Sequence, residues 1–95
     1  MKVVINVCHG GFSLSKEAND WLKQRGAAEG THGIQYTIKR DDPLLIECVE
    51  TLGEAAETRF SKLRVIEIPD GIKWQVGEYD GTEWIEETHR KWEYE

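Results

Sequence analysis

One short segment near the start of the chain concentrates the residue types that do chemistry. In NVCHGGFSLSKEA, residues 6–18, an apolar run gives way to a thiol, an imidazole, two glycines, a phenyl ring and two serines. Cys8 could act as a nucleophile with His9 as its base. Adjacent residues that leave a strand point to opposite sides, however, and no third group orients the imidazole. We therefore predict no catalytic residues and interpret Cys8 as a buried thiol.

The glycines of the same segment indicate another kind of chemistry, the binding of an anion. A loop that joins a strand to the N-terminus of a helix presents free N–H groups and the positive end of the helix dipole. Gly10 and Gly11 would let a phosphate or carboxylate approach the backbone. The alternative is a tight turn in which Phe12 and Leu14 fill the core. The residues assigned to ligand binding are Cys8, His9, Gly10, Gly11, Phe12, Ser13, Ser15, Lys16 and Arg40.

Other polar residues raise the questions of a metal site and of an acid–base pair. The cysteines and histidines form neither CxxC nor HExxH, so we expect no metal and no cofactor. Asp41 and Asp42 precede Pro43 and an apolar helical pattern. A carboxylate at that position caps a helix and interacts with its positive end, so we interpret Asp41 or Asp42 as the cap and the pair as cap and first-turn charges.

The charge of the chain restricts its partners. The formal net charge is −6, and acidic residues concentrate toward the C-terminus. Affinity for duplex nucleic acid or for an anionic membrane depends on cationic surface, so we expect neither partner. No apolar run reaches the roughly 18 residues of a membrane span, and the first residues do not resemble a secretory signal. We therefore expect a cytoplasmic protein whose two cysteines are free.

Aromatic residues are numerous near the C-terminus and indicate an interface. The chain has four tryptophans and three tyrosines, which is more than a core of this size needs. The surplus rings could stack a nucleobase or pack against the side chains of a partner. The residues assigned to this interface are Trp74, Tyr79, Trp84 and Trp92.

The elements that must position these residues follow from the spacing of apolar side chains. Predicted in chain order are a strand at 2–7, a helix from Ser13 or Ser15 to Gly26, a strand at 34–38, a helix from Pro43 to Gly53, and strands at 63–68, 74–79 and 82–87. The order β-α-β-α-β-β-β predicts a single α+β domain over residues 1–95. We expect a mixed sheet of about five strands, with parallel crossovers and both helices on one face.

The last two strands are predicted to form a hairpin. Asp80 and Gly81 between them are a strong signal for a two-residue turn. In that register Val76 opposes Ile85, and Trp74 lies on their face. The opposite face of the hairpin carries Tyr79, Gly77 and Trp84.

Three blocks of the sequence resemble a family of small proteins encoded by tailed phages and prophages of bacteria. The blocks are MKVVINVCHGGFSLS, RDDPLLIECVETLGE and SKLRVIEIPDGIKWQVGEYDGTEWIEETHRKW, and together they cover most of the chain. The resemblance implies a phage-encoded protein that works in the cytoplasm of a bacterial host. It assigns no activity and no catalytic residue.

Two hypotheses for the function follow, with a small enzyme as a third alternative. The first is a compact, oligomeric, non-enzymatic protein that sequesters an anionic, nucleotide-like small molecule used as an immune signal. The glycine loop suits the anion and the surplus rings suit the base, while the immune role is an analogy with other small phage proteins. The second is an interaction module that inhibits or adapts a host protein through the acidic, aromatic hairpin, which suits a basic partner.

Overall fold

Four strands and two α-helices form within residues 1–30 and 32–87, which are the residues that the computed structural model describes. In chain order they are β1 (Lys2–Asn6), α1 (Lys16–Gln24), α2 (Pro43–Leu52), β2 (Leu63–Glu67), β3 (Trp74–Tyr79) and β4 (Thr82–Glu87). Short 3-10 helices at Ile34–Tyr36 and Gly53–Ala56 follow the two α-helices. Across these residues we find no helix with the length and apolar character that crossing a bilayer requires.

Both helices begin at the polar residues that the sequence indicates. The hydroxyl of Ser15 accepts a hydrogen bond from the Ala18 N–H at 3.1 Å, so Ser15 rather than Ser13 caps α1. The carboxylate of Asp42 accepts from the Leu44 N–H at 2.8 Å and caps α2. Each cap satisfies one of the N–H groups that the first turn of a helix leaves without a partner. The predicted caps are confirmed, with one member of each pair selected.

The main core lies between the helices and one face of β1 and β2. Its members are Val4, Leu14, Ala18, Leu22, Ile34, Leu45, Cys48, Val49, Ala56 and Leu63. Full burial of a leucine or valine side chain stabilises the fold by about 1.5–3 kcal/mol, so this cluster is the main source of stability. The neighbours of Val4 on the same strand, Val3 and Ile5, are also buried, which agrees with a strand that is apolar on both faces.

The strands form two antiparallel pairs, which corrects the expected mixed sheet. β1 pairs with β2, and β3 pairs with β4, as two separate two-stranded sheets among the described residues. The parallel crossovers were expected because helices alternate with strands in the chain order. The alternation of strands and helices is interrupted because one of the predicted strands does not form.

The missing strand is the one predicted at 34–38, where the chain forms a 3-10 helix instead. Gly33 turns the backbone with φ 107°, and the N–H groups of Thr37 and Ile38 donate to the carbonyl of Ile34 at 3.0 and 2.9 Å. Ile34 is buried, but Tyr36 is exposed, so the apolar alternation does not mark one inward face. The pattern of alternate apolar residues over so few positions does not separate a strand from a single helical turn.

The hairpin agrees with its prediction in both turn and register. Val76 lies opposite Ile85, and Gly77 lies opposite Trp84. Asp80 and the glycine after it both have positive φ, at 54° and 90°, as a type I′ turn requires. Trp74 is half-buried on the face of Val76, and we call this the inner face of the hairpin.

Candidate functional site

The edge of β1 that faces away from β2 is closed by side-chain and loop groups. Alternate residues of a strand direct their backbone groups to opposite edges. The N–H of Val4 donates to the carbonyl of Arg40 at 2.9 Å. The N–H of Asn6 donates to the carboxylate of Glu83, on β4, at 2.8 Å. The hairpin therefore meets β1 through a side chain and not through a continued sheet.

The side chain of Asn6 joins three segments at the end of β1. Its amide nitrogen donates to the carbonyl of Cys8 at 2.6 Å and to the carbonyl of Gly81 at 2.7 Å. Its amide oxygen accepts from the N–H of Lys62 at 2.8 Å. Asn6 is fully buried, so these bonds offset the cost of removing a polar amide from water. The amide fixes the glycine loop, the hairpin turn and the start of β2 relative to one another.

An ion pair completes this junction. The guanidinium of Arg40 donates two hydrogen bonds to the carboxylate of Glu83, at 2.5 and 2.8 Å. Arg40 also lies over the ring of Phe12, with its guanidinium carbon 3.7 Å from the ring centre. The side chains of the pair are 21% and 6% exposed, so solvent screens the interaction little. We call Asn6, Arg40 and Glu83 the hairpin clamp.

The glycines of the segment at 8–13 allow close packing against two other parts of the chain. A Cβ on Gly10 would clash with the backbone of Phe60, and a Cβ on Gly81 would clash with the carbonyl of His9. Gly11 has φ +93° with space around it, so it supplies the turn. After that turn Leu14 enters the core and Phe12 packs against it. These contacts agree with the alternative interpretation of Gly10 and Gly11, in which they form a tight turn while Phe12 and Leu14 fill the core.

The candidate ligand-binding side chains are divided among several local interactions. The hydroxyls of Ser13 and Thr58 lie 2.6 Å apart, and Ser15 caps α1. The ammonium of Lys16 pairs with Asp20 at 2.8 Å on the exposed side of the same helix. Arg40 is bound by the clamp. The predicted set is therefore not gathered around one centre.

His9 and Cys8 do not form a catalytic pair in this structure. The Nδ1 atom of His9 lies 3.1 Å from the hydroxyl of Thr82 and 3.9 Å from the carboxylate of Asp80. Cys8 is half-buried, in place of the full burial expected, and it is a free thiol like Cys48. Among the described residues, no group of three or more histidines, cysteines and acids could hold a metal ion.

The backbone N–H groups of the glycine loop are the remaining candidates for an anion. Those of Cys8, His9, Gly10, Phe12 and Ser13 donate no hydrogen bond to another described residue. They are therefore available to water or to a ligand. Arg40 is neutralised by the clamp, whereas Arg59 and Lys62 are exposed on either side of the segment that packs against Gly10.

A cleft of about 210 Å³ lies elsewhere, between the start of the loop after α1 and the segment that leads into α2. It is lined by Ala27, Ala28, Thr37, Ile38, Lys39 and Asp42, and its walls are mainly apolar. It shares no residue with the glycine loop or with the hairpin.

The face of the hairpin opposite the inner face carries an ordered group of aromatic and acidic side chains. The indole of Trp84 lies across Gly77, where a Cβ would come within 2.5 Å of its Nε1 atom. That nitrogen donates to the carboxylate of Glu86 at 2.9 Å, and Gln75 donates to the other oxygen at 2.8 Å. Tyr79 follows along β3 and is 77% exposed, and Trp84 is 41% exposed. We call these five residues the outer face.

Hydrogen bonding keeps the carboxylate of the outer face ionised. The bond from Gln75, and after it the bond from Trp84, lower the pKa of Glu86 below its ordinary value of 4.5. Both donors interact with the charged form of the carboxylate, which is why the pKa falls. The outer face therefore presents a fixed negative charge beside the edge of an indole at neutral pH.

The candidate interface residues are only partly brought together. Tyr79 and Trp84 share the outer face, whereas Trp74 lies on the inner face. Trp92 lies outside the described residues. Glu86 and Gln75 are absent from the predicted interface, although both lie at alternate positions from Trp84 and Gly77 and so share their face.

Two residues of the hairpin clamp also escaped the sequence analysis. Asn6 directly follows the apolar run at 3–5 of β1, and Glu83 falls on the face of Val76 and Ile85. A polar or charged residue in an apolar position is a signal that it has a buried partner. That signal identifies the residues but does not identify the partner, which lies 43 positions away for Glu83.

Comparison of the chain with protein-family models, with curated proteins and with solved structures found no match.

Proposed function

We propose that this chain is a small, non-enzymatic interaction module that binds a basic segment of another protein on the outer face of its hairpin. One observation carries the proposal, namely that Trp84 is exposed and yet held in one position by Gly77 and Glu86. An exposed ring without a role in the core is a typical anchor of an interface. A ring that is already fixed loses little conformational entropy when a partner packs on it.

The chemistry of the outer face matches a lysine or arginine side chain. A guanidinium can stack on the indole of Trp84 within about 6 Å of the ring centre and pair with a nearby carboxylate at the same time. Glu86 supplies that carboxylate, and its lowered pKa keeps it charged. The same combination appears inside this protein, where Arg40 lies over an aromatic ring while it pairs with a glutamate.

Exposed acids elsewhere on the hairpin support a basic partner as well. Glu78, Asp80 and Glu87 are exposed on the same hairpin. A surface of one sign raises the association rate of an oppositely charged partner and disfavours partners of like charge. The resemblance to phage-encoded proteins suggests that this partner is a protein of the bacterial cytoplasm.

Calorimetric titration with a basic peptide tests the proposal. The probe is an acetylated and amidated octapeptide of alternating arginine and valine, and the same peptide with glutamate in place of arginine is the charge control. Trp84→Ala should weaken binding of the basic peptide by about threefold to thirtyfold, the value of one cation–π contact. Phe60→Ala is the matched control, because Phe60 is an exposed ring outside the hairpin.

The expected pattern also includes loss of affinity in Glu86→Gln, with Glu54→Gln as a control for the change of charge. Glu54 is exposed in the second 3-10 helix. Equal affinity for the basic and acidic peptides, or equal affinity of the Trp84→Ala and Phe60→Ala variants, would contradict the proposed function.

The unbonded N–H groups of the glycine loop favour a second candidate function, the binding of an anionic, nucleotide-like molecule. Thermal denaturation with a panel of linear and cyclic nucleotides tests it, because a ligand that binds only the folded state raises Tm with its concentration. We expect a sequestering protein of this kind to be oligomeric, and native mass spectrometry would show its stoichiometry and any bound molecule together. The absence of a shift across the whole panel would remove this candidate.

A further inference from the structure

The outer edges of the two strand pairs differ in how they are protected. On β1, the N–H groups of Val4 and Asn6 are bound by Arg40 and Glu83. On β2, the outward N–H of Leu63 donates to a glutamate side chain at 2.9 Å, whereas those of Val65 and Glu67 donate to no other described residue. Such closure matters because an edge with unpaired backbone groups can pair with another chain.

The edge of β3 has no comparable closure among the described residues. Tyr79 and Thr82 flank the two-residue turn, so they form a hydrogen-bonded pair, and pairs of this kind recur at every second position. The N–H and C=O groups of Trp74, Val76 and Glu78 consequently point away from β4. None of these backbone groups bonds to another described residue.

The sequence of β3 also lacks the usual devices that prevent strand pairing. WQVGEY contains no proline and no lysine, and its register with β4 is continuous, without a bulge. The exposed charges on and beside the edge are Lys73 before the strand and two acids, Glu78 and Asp80, at its other end. The formal net charge of the chain is −6, so two copies repel each other overall and a basic segment is favoured over a second copy.

We propose that the edge of β3 accepts the basic partner segment as an added, extended strand. This inference rests on the proposed function and specifies the conformation of the partner. Backbone bonds to Trp74, Val76 and Glu78 supply affinity, as in other cases of strand addition. Alternate side chains of the added strand lie on the outer face, where arginine or lysine reaches Trp84 and Glu86. The remaining side chains lie on the inner face, beside Val76, and are apolar.

A backbone-modified peptide separates strand addition from simple charge recognition. The probes are the arginine–valine octapeptide and two versions of it, each N-methylated at alternate residues so that only one edge loses its donors. N-methylation removes a hydrogen-bond donor and blocks pairing on that edge, while every side chain is retained. One methylated version should bind about tenfold or more weakly than the unmodified peptide, because about two or three backbone bonds are lost. The other should bind with nearly unchanged affinity.

Hydrogen exchange on the wild-type protein supplies an independent measurement. Binding of the unmodified peptide should slow exchange of the amides of Trp74, Val76 and Glu78, which are otherwise unprotected. The amides of Gln75 and Gly77 already bond to β4 and serve as internal controls. Equal affinity of both methylated peptides and the unmodified one, or protection confined to residues outside β3, would overturn strand addition. The proposed function would survive that result if the basic peptide still bound and Trp84→Ala still weakened it.

Discussion

Removal of the carboxylate of Glu83 is expected to be the most destabilising change at a charged residue of the hairpin. Glu83→Ala leaves the guanidinium of Arg40 without a partner in a site where its side chain is only 21% exposed. It also leaves the buried N–H of Asn6 without an acceptor. The first loss costs about 3–5 kcal/mol and the second about 1–3 kcal/mol. Partial exposure of Arg40 reduces the first cost, so we expect a total of about 3–4 kcal/mol.

That cost is a large part of the stability of a chain this size. A domain of 95 residues has a free energy of unfolding of about 5–14 kcal/mol. In urea, with a slope of about 1.5 kcal/mol per M, the unfolding midpoint should fall by about 2 M. Tryptophan fluorescence and far-ultraviolet circular dichroism would follow the transition. Glu87→Ala is the matched control, because Glu87 is an exposed acid at the end of the same strand, and it should change stability by less than about 0.5 kcal/mol.

A double substitution tests whether the effect comes from the ion pair. Replacement of both partners, by Arg40→Met with Glu83→Leu, removes the unpaired charge and should cost less than the sum of the two single changes. If Glu83→Ala lowered the free energy of unfolding by less than about 1 kcal/mol, the loss would be no larger than that of a solvent-exposed ion pair. That result, or strict additivity in the double variant, would refute the role of the clamp.

Three further predictions address the loop, the cysteines and the outer face. Gly10→Ala should lower the free energy of unfolding in urea by about 2 kcal/mol or more, because its Cβ would clash with the backbone of Phe60. A Cβ on Gly11 meets open space, so Gly11→Ala should cost only about 1 kcal/mol of backbone strain, and equal costs would contradict the contact at Gly10. Burial raises the pKa of the Cys48 thiol to about 11, so a thiol reagent at pH 8 should label Cys8 first and Cys48 only after unfolding, as mass spectrometry would show. Because the pKa of Glu86 is lowered, its hydrogen bonds stabilise the fold fully above the ordinary pKa of 4.5, and this stabilisation is lost as the pH falls through the lower, folded-state pKa. The indole N–H resonance of Trp84 should shift over that pH range, and Glu86→Gln should abolish the shift.

Local signals in the sequence predicted the local elements of the fold well. Ser15, Asp42 and Gly53 mark helix ends because their side chains or backbone conformations act within a few residues. The turn at Asp80 and Gly81 fixes the hairpin register for the same reason. Predictions of this kind need no knowledge of what lies elsewhere in the chain.

Arrangement of the elements was harder to predict, because it depends on contacts between distant residues. The expected parallel crossover needed a strand at 34–38, and the edge of β1 where such a strand would pair is occupied by Arg40 and Glu83. Arg40 was assigned to ligand binding because a free cation suits an anion, yet the pairing with Glu83 uses it for the fold. No spacing rule connects two residues so far apart in the chain.

Fold and candidate binding face meet at two consecutive residues of β4. Side chains alternate along a strand, so Glu83 points toward β1 while Trp84 points to the outer face. A two-stranded hairpin alone is marginally stable in water, so its outer face stays ordered only while the inner side is held to the rest of the protein. The clamp supplies that hold through Asn6 and Arg40. A substitution that releases the clamp should therefore weaken binding of a basic peptide without touching the outer face, and the apparent Kd should rise in inverse proportion to the fraction of molecules whose hairpin stays attached.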